Sequence, residues 1–133
     1  PHTFKEKSTP YLTSPSGGPL VQHTLSALLT CFHQKRITLE KIVEKACHNP
    51  AILFDIKDRG FIREGFFADL VVIDLDKYCH VKKSNILYKC GWSPFENITF
   101  KGIAEKTFVN GHLAYNKGKI STKSAARALT FDR

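Results

Sequence analysis

The sequence predicts a mixed fold, with an α/β portion in the first third of the chain and a β portion after it. Three features favour this fold class: apolar residues at helical spacing before residue 54, a β-branched run at 70–73, and Asn110-Gly111 between two short apolar runs. Helices followed by strands are typical of two structural pieces. We expect these pieces to join near residues 54–60.

Two helices are predicted in the first third. The first should cover residues 19–34, because Pro19 suits a first helical turn and apolar residues follow at helical spacing. Thr38 is a good N-cap for the second helix, and Pro50 should stop that helix and begin a short new turn through residues 51–54. Its buried stripe is expected to contain Ile42, Val43, Ala46 and Cys47.

The later part of the chain carries strand signals. Residues 70–73 form a continuous apolar run, which is typical of a strand that is covered on both faces. Asn110-Gly111 predicts a hairpin, because both central residues of a type I′ turn need positive φ. The tail, residues 121–133, has helix-forming residues but weak amphipathicity, so it should be a loop or a short docking helix.

Composition and charge limit the classes of partner. The 133 residues are 42% hydrophobic and 24% charged, as in a single soluble globular domain. The net charge of +8 could attract an anion, but the basic residues stand singly or in pairs, which argues against nucleic acid. No apolar stretch approaches the ~20 residues that cross a bilayer. We expect a soluble, cytoplasmic protein without a membrane or nucleic-acid partner.

The cysteines give no metal or redox signal. Cys31, Cys47, Cys79 and Cys90 contain no close pair of the kind found in zinc ribbons or redox motifs, so reduced thiols are expected. His80 adjoins Cys79, but neighbours on a strand point to opposite faces and rarely bind one ion together. The residues by themselves therefore predict no metal site.

Other polar and aromatic residues are interpreted as structural. Asp69, Asp74 and Asp76 project to different faces, so they should cap turns and strand ends rather than form a carboxylate cluster. Trp92, the sole tryptophan, should be a packing anchor for the SPFE turn.

Four histidines are also interpreted as structural. They are His23, His33, His48 and His112. His23 and His33 do not share a helical face, so each should be a surface or packing residue. His48 is expected to bind the last carbonyls of its helix, and His112 follows the hairpin turn and should be exposed.

Several segments, taken in chain order, carry a family resemblance. They are PHT, SPSGGPLVQH, HNPA, GFFADLVVIDLD, KCGWSPFE, FKG and FVNGHLAYNKG. Together they resemble the C-terminal part of a bacterial dihydroorotase, a member of the amidohydrolase superfamily. The ADLVVxD segment is shared with dihydropyrimidinases and allantoinases, whereas PHT followed by SPSGGPLVQ and SPFE is closer to dihydroorotase.

The resemblance implies a substrate-binding role for three residues. In the family, a loop reading Asp-His-Ala-Pro-His follows the last barrel strand, and Pro1 and His2 match its final two residues. His2 would therefore bind the substrate carboxylate, and the backbone of Ser16-Gly17 would touch the substrate ring. Relatives often have Phe-Gly instead of Ser-Gly, so the backbone is the implied contact. The family's catalytic aspartate, which is also a metal ligand, would lie three residues before Pro1. The family's other metal ligands would lie still further upstream.

The implied parent protein is a zinc-dependent enzyme with two metal ions. It would reversibly hydrolyse the cyclic amide of L-dihydroorotate to N-carbamoyl-L-aspartate in pyrimidine biosynthesis. Because the resemblance places no catalytic residue and no metal ligand in this sequence, the isolated chain is expected to be inactive. Two alternatives stay open, a non-catalytic amidohydrolase-like module and a related cyclic amidase that acts on a hydantoin or allantoin.

The resemblance also implies an architecture. Residues 1–59 would supply the last βα loop and closing helices of a TIM-type barrel, residues 60–120 strands of a small β-sandwich, and residues 121–133 a tail. The family builds that sandwich partly from N-terminal strands, so this sheet should expose edges. The expected partners are the remainder of the same polypeptide, other copies of the chain and a small-molecule substrate.

Overall fold

The computed structural model describes residues 2–123 and 125–132. Its helical elements are α1 (Phe4–Lys7), α2 (Thr24–His33), α3 (Leu39–Val43), a π-helical segment (Glu44–His48), α4 (Asn49–Leu53) and a 3₁₀ turn (Lys83–Asn85). Its strands are β1 (Leu70–His80), β2 (Thr99–Val109), β3 (His112–Asn116) and β4 (Lys119–Ile120). The predicted order of helices followed by strands is confirmed.

The first predicted helix begins later than expected. The backbone first makes a turn in which the carbonyl of Leu20 accepts from the N–H groups of His23 and Thr24, at 3.0 and 3.1 Å. The regular helix α2 then begins at Thr24 and ends at His33. Pro19 is buried at the entrance to this turn rather than in the first turn of the helix.

The second helical region differs more from its prediction. Thr38 does cap α3, since its hydroxyl accepts from the backbone of Lys41 at 3.2 Å. The prediction that Pro50 stops the helix is wrong: helical backbone continues from α3 through the π segment into α4. Pro50 does begin a new helical turn as predicted, since it lies in the first turn of α4.

The π segment also changes which face of this region is buried. Ile42 is buried as predicted, but Val43, Ala46 and Cys47 are exposed, so that part of the prediction is wrong. A π turn contains more residues than an α turn and rotates the positions within and after it, which accounts for Ala46 and Cys47 but not for Val43, which precedes the segment. Ala51 in α4 is buried instead.

The four strands form one antiparallel sheet in the order β1-β2-β3-β4. Asn110 and Gly111 have φ of 49° and 80° and join β2 to β3, which confirms the predicted hairpin. β1 lies at the edge, and Val71, Val72 and Ile73 are between 37% and 48% exposed. The described residues therefore do not cover this strand on both faces as the apolar run predicted.

Two aspartates cap turns, as predicted. Asp74 accepts from the backbone N–H groups of Asp76 and Lys77 at 3.0 and 3.1 Å, where β1 departs from regular pairing with β2. Asp69 accepts from the N–H of Asn110 at 2.8 Å and also pairs with Arg59. Both carboxylates therefore have partners within the protein, and neither indicates a ligand site.

The core joins α2 to the sheet. Leu29 of α2, Phe100 of β2 and Val81 are at most 4% exposed. The tail is not helical where it is described: Phe131 pairs with Ile56 in an isolated antiparallel bridge. No helix among the described residues has the length and apolar character to cross a membrane.

Candidate functional site

The predicted substrate-binding residue His2 directly precedes a well-capped short helix. The hydroxyl of Thr3 accepts from the N–H of Glu6 at 3.3 Å, and the Glu6 carboxylate accepts from the N–H of Thr3 at 2.6 Å. The side-chain hydrogen bond from Thr3 holds the pKa of Glu6 below its usual range. This capping box fixes the backbone that follows His2, while the His2 side chain is exposed to solvent.

The loop then folds back on α1. The ammonium group of Lys7 donates to the carbonyl of Pro15, and the hydroxyl of Ser14 donates to the carbonyl of Lys7 at 3.3 Å. Between them lies an open cleft of about 390 Å³. It is lined by Lys7, Tyr11, Leu12, Ser14, Pro15 and Ser16.

Ser16 and Gly17 present an accessible backbone. Both residues are exposed, and a Cβ atom added to Gly17 would meet nothing within 4 Å. At Gly18 the situation changes, because a Cβ atom there would lie 3.8 Å from Cη2 of Trp92 and 3.9 Å from Cγ of Pro94. The loop is therefore open to solvent at Ser16-Gly17, whereas at Gly18 it lies beside Trp92 and Pro94.

One side chain contacts both ends of the loop. The indole Nε1–H of Trp92 donates to the carbonyl oxygen of His2 at 2.8 Å, and the other end of the ring lies beside Gly18. The sequence predicts that Trp92 anchors the SPFE turn, whereas the described contacts of its ring are with the loop of residues 2–18. The indole therefore lies between His2 and Gly18, the residue that follows Ser16-Gly17.

The segment that carries Trp92 is fixed to the turn before α2. The side chain of Gln22 donates to the carbonyl of Asn85 and accepts from the N–H of Leu87, each at 2.8 Å. The N–H of Gln22 donates to the hydroxyl of Tyr88 at 2.7 Å. Three hydrogen bonds therefore attach residues 85–88 to one glutamine.

A buried histidine makes a second attachment. His23 is 3% exposed, and its Nδ1 lies 3.3 Å from Oγ of Ser93, which also accepts from the N–H of Phe95 at 3.2 Å. Tyr88, Phe95 and Phe100 surround the imidazole, with ring centroids 5.9–6.1 Å away. Burial lowers the pKa of His23, so the ring is neutral at pH 7, and its Nδ1 and the Ser93 hydroxyl share one hydrogen bond. The predicted packing role of His23 is confirmed.

The other histidines lie elsewhere. His48 stacks on Phe61 with ring centroids 4.3 Å apart, so the prediction that it binds the end of a helix is wrong. The helix does not end there, because α4 follows directly. His33 is a packing residue whose Nε2 lies 2.7 Å from the carbonyl of Leu75, and His112 is exposed as predicted.

The described side chains do not fit a metal ion. Within residues 2–123 and 125–132, no three histidine, cysteine, aspartate or glutamate side chains lie close enough together to hold one. All four cysteines are free thiols. The two zinc ions that the resemblance implies thus have no ligand set in this part of the chain.

The role of the 85–95 segment was missed by sequence reasoning. The hydrogen bonds that attach it to α1, α2 and their flanking turns join residues 63 to 90 positions apart, such as Gln22 with Asn85 and His2 with Trp92. Spacing and periodicity report on neighbours in the chain, and a single sequence carries no signal for such pairs. The only available hint was that SPSGGPLVQH and KCGWSPFE both belong to the resemblance.

Comparison with known proteins gives consistent relatives. A model of the amidohydrolase family matches residues 20–114. A dihydroorotase from Methanosphaera stadtmanae is 34% identical over 85% of this chain and 26% of its own length. An allantoinase from Desulfitobacterium hafniense is 32% identical over 81% of this chain and 24% of its own length.

A solved structure shares the fold as well. The L-hydantoinase (dihydropyrimidinase) from Arthrobacter aurescens is 31% identical, with a TM-score of 0.76 over 84% of this chain and 25% of its own. The chain therefore spans about a quarter of the length of each of these three relatives. The family match covers most of the described sheet as well as α2, α3 and α4. The chain belongs to the amidohydrolase family.

Proposed function

We propose that the chain is the C-terminal part of a dihydroorotase, which interconverts L-dihydroorotate and N-carbamoyl-L-aspartate. Several of the matched relatives are dihydroorotases, at 30–34% identity over 72–92% of the chain. The chain spans about a quarter of their length, so the activity belongs to a longer polypeptide in this proposal. Residues 1–59 would complete its TIM-type barrel, residues 60–120 would contribute to its β-sandwich, and residues 121–133 would form the tail.

The contact of Trp92 with both ends of the loop is the observation that carries this proposal. It holds the backbone of His2 and the backbone at Gly18 against one ring. The exposed imidazole and the open backbone of Ser16-Gly17 both lie on the loop of residues 2–18 that Trp92 contacts. Such a loop suits a flat ring that bears a carboxylate.

The chemistry of each group matches its proposed role. An imidazole N–H, and more strongly an imidazolium, donates to a carboxylate oxygen. The backbone of Ser16-Gly17 offers hydrogen-bonding groups with no side chain at Gly17 to obstruct a ring. These residues would bind and orient the substrate. The two zinc ions and the catalytic aspartate would be supplied by the rest of the polypeptide, so we expect the isolated 133 residues to be inactive.

Replacing His2 by alanine in the complete enzyme tests this proposal. We expect the KM for L-dihydroorotate to rise about 10- to 100-fold, which corresponds to the loss of a hydrogen bond to a charged group. Steady-state kinetics in the direction of hydrolysis would measure this change.

His112→Ala is the matched control, because it removes another exposed imidazole, at the start of β3. Its KM should equal that of the unchanged enzyme. An unchanged KM in His2→Ala would contradict the role of His2. A complete polypeptide with no measurable turnover would instead support a non-catalytic module.

A related cyclic amidase is the second candidate. It is favoured by the allantoinase and by the L-hydantoinase, whose identities to this chain of 32% and 31% approach that of the first dihydroorotase. Rings without a carboxylate would leave His2 without its partner. A kcat/KM for allantoin or hydantoin that exceeds the value for L-dihydroorotate would select this candidate.

A further inference from the structure

We propose that Trp92 is a positioning residue for binding of the substrate carboxylate, and that it acts by holding the backbone of His2 in place. This inference rests on the proposed function, in which His2 contacts the carboxylate. It adds a residue from the β portion of the chain, 90 positions away from His2, to the determinants of substrate affinity.

The backbone of His2 is held from two sides. Its carbonyl oxygen accepts the indole N–H of Trp92 at 2.8 Å, and the next residue, Thr3, is fixed by the capping box with Glu6. The peptide unit of His2 is therefore fixed by Trp92 on one side and by α1 on the other. The imidazole itself is left exposed and available to a ligand.

The indole of Trp92 reaches from His2 to the neighbourhood of Gly18. Its Nε1 edge is at His2, while Cη2 at the far edge of the six-membered ring is the atom nearest to a Cβ placed on Gly18. A fused aromatic ring is rigid, so it sets the separation between these two parts of the loop. A smaller or more flexible side chain could keep one contact but not both.

Residues on both sides of Trp92 are attached to the backbone and side chains that precede α2. The adjacent Ser93 is 6% exposed and bonds to the buried His23, while Tyr88 bonds to the backbone of Gln22. The Sγ–H of Cys90 lies 3.8 Å from the carbonyl of Trp92. Attachment on both sides of Trp92 transmits the position of α2 to the loop.

The consequence is a specific kinetic signature. If the indole N–H is lost, the His2 backbone gains freedom that must be given up again when the substrate binds. Such a loss weakens ground-state and transition-state binding alike, so KM should rise while kcat stays unchanged. The loss of one neutral hydrogen bond corresponds to about a 3- to 10-fold rise in KM.

The test uses two replacements of Trp92 in the complete enzyme. Trp92→Phe removes the N–H and part of the ring. Incorporation of benzothienylalanine at position 92 replaces the N–H by sulfur and keeps the shape of the fused ring, so it remains informative if Trp92→Phe does not fold. Both should raise the KM for L-dihydroorotate about 3- to 10-fold and leave kcat within about twofold.

Two further variants separate positioning from general stability. Thr30→Val removes the hydroxyl that binds the backbone of Lys101 at 2.9 Å in the contact between α2 and β2. It should lower the unfolding midpoint and leave KM unchanged. In the His2→Ala background, Trp92→Phe should raise KM no further, because two residues that act through one contact are not additive.

Three outcomes of these KM measurements would contradict the inference. An unchanged KM in both Trp92 replacements, together with a raised KM in His2→Ala, would overturn this inference and leave the proposed function standing. Additive effects in the double variant would also overturn it, since Trp92 would then act independently of His2. If His2→Ala leaves KM unchanged, the proposed role of His2 and the inference are both wrong.

Discussion

At the scale of single residues, a close contact between α2 and β2 depends on a glycine. Gly102 in β2 has φ of +95°, and a Cβ atom there would lie 2.6 Å from Cβ and 3.0 Å from Cδ1 of Leu29. Leu29 is 1% exposed and cannot move aside into solvent. We expect Gly102→Ala to destabilise the protein by about 2–5 kcal/mol, because left-handed strain adds to overpacking. Urea unfolding measures this change.

Gly118→Ala separates the two causes. Gly118 has a similar φ of +91°, but a Cβ atom there would meet nothing within 4 Å. Only the backbone strain applies, so the expected cost is about 1–2 kcal/mol. Equal costs at Gly102 and Gly118 would show that Leu29 adjusts freely and that the tight contact has no energetic consequence.

At the scale of elements, the features that could be predicted are those that depend on neighbouring residues. The N-cap at Thr38 and the turn at Asn110-Gly111 follow from side-chain and backbone preferences within a few positions. The π segment could not be predicted, because a π turn has no distinct sequence pattern and depends on packing of its surroundings. The prediction that Pro50 stops the helix and the wrong burial of Ala46 and Cys47 both follow from missing that turn.

The contact between α2 and residues 85–95 should depend on pH through His23. Burial lowers the pKa of this histidine below its ordinary value of 6.5. As pH falls below that value, the unfolded chain binds a proton that the folded protein does not, so folding stability decreases. Stability from this group is fully present above pH 6.5 and is lost toward lower pH.

His23→Gln provides the comparison, because glutamine can accept from Ser93 and does not titrate. The urea midpoint of the unchanged protein should fall more steeply between about pH 7 and pH 5 than that of the variant. Parallel curves for the two proteins would mean that His23 titrates normally in the fold.

At the scale of the whole molecule, only part of the candidate site could be predicted. The family resemblance implies His2 and Ser16-Gly17, which are exposed on one loop. Trp92 contacts that loop through a hydrogen bond to His2, which lies 90 positions earlier in the chain. Contacts over such distances arise only after the helices have packed on the sheet, so local patterns in the sequence contain no trace of them.

The accessible surface of the chain is larger than its mass explains. It measures 9839 Å², whereas a compact monomer of 15.0 kDa exposes about 7,000 Å². Part of the excess is apolar and lies on edge strand β1, where Val71 and Val72 are nearly half exposed, and on α4, where Leu53 is 74% exposed. An edge strand with apolar side chains is a template for pairing with another chain.

We therefore expect the isolated 133 residues to associate with one another at micromolar concentration. Light scattering coupled to size-exclusion chromatography should give a mass above 15.0 kDa. Val72→Lys should reduce this association, because a lysine on an edge strand opposes strand pairing. Ile62→Lys is the matched control, since Ile62 is 89% exposed in the connection before β1 and should leave the mass unchanged. A folded monomer of 15.0 kDa would contradict the prediction, because it would show that this apolar edge is stable in water without any cover.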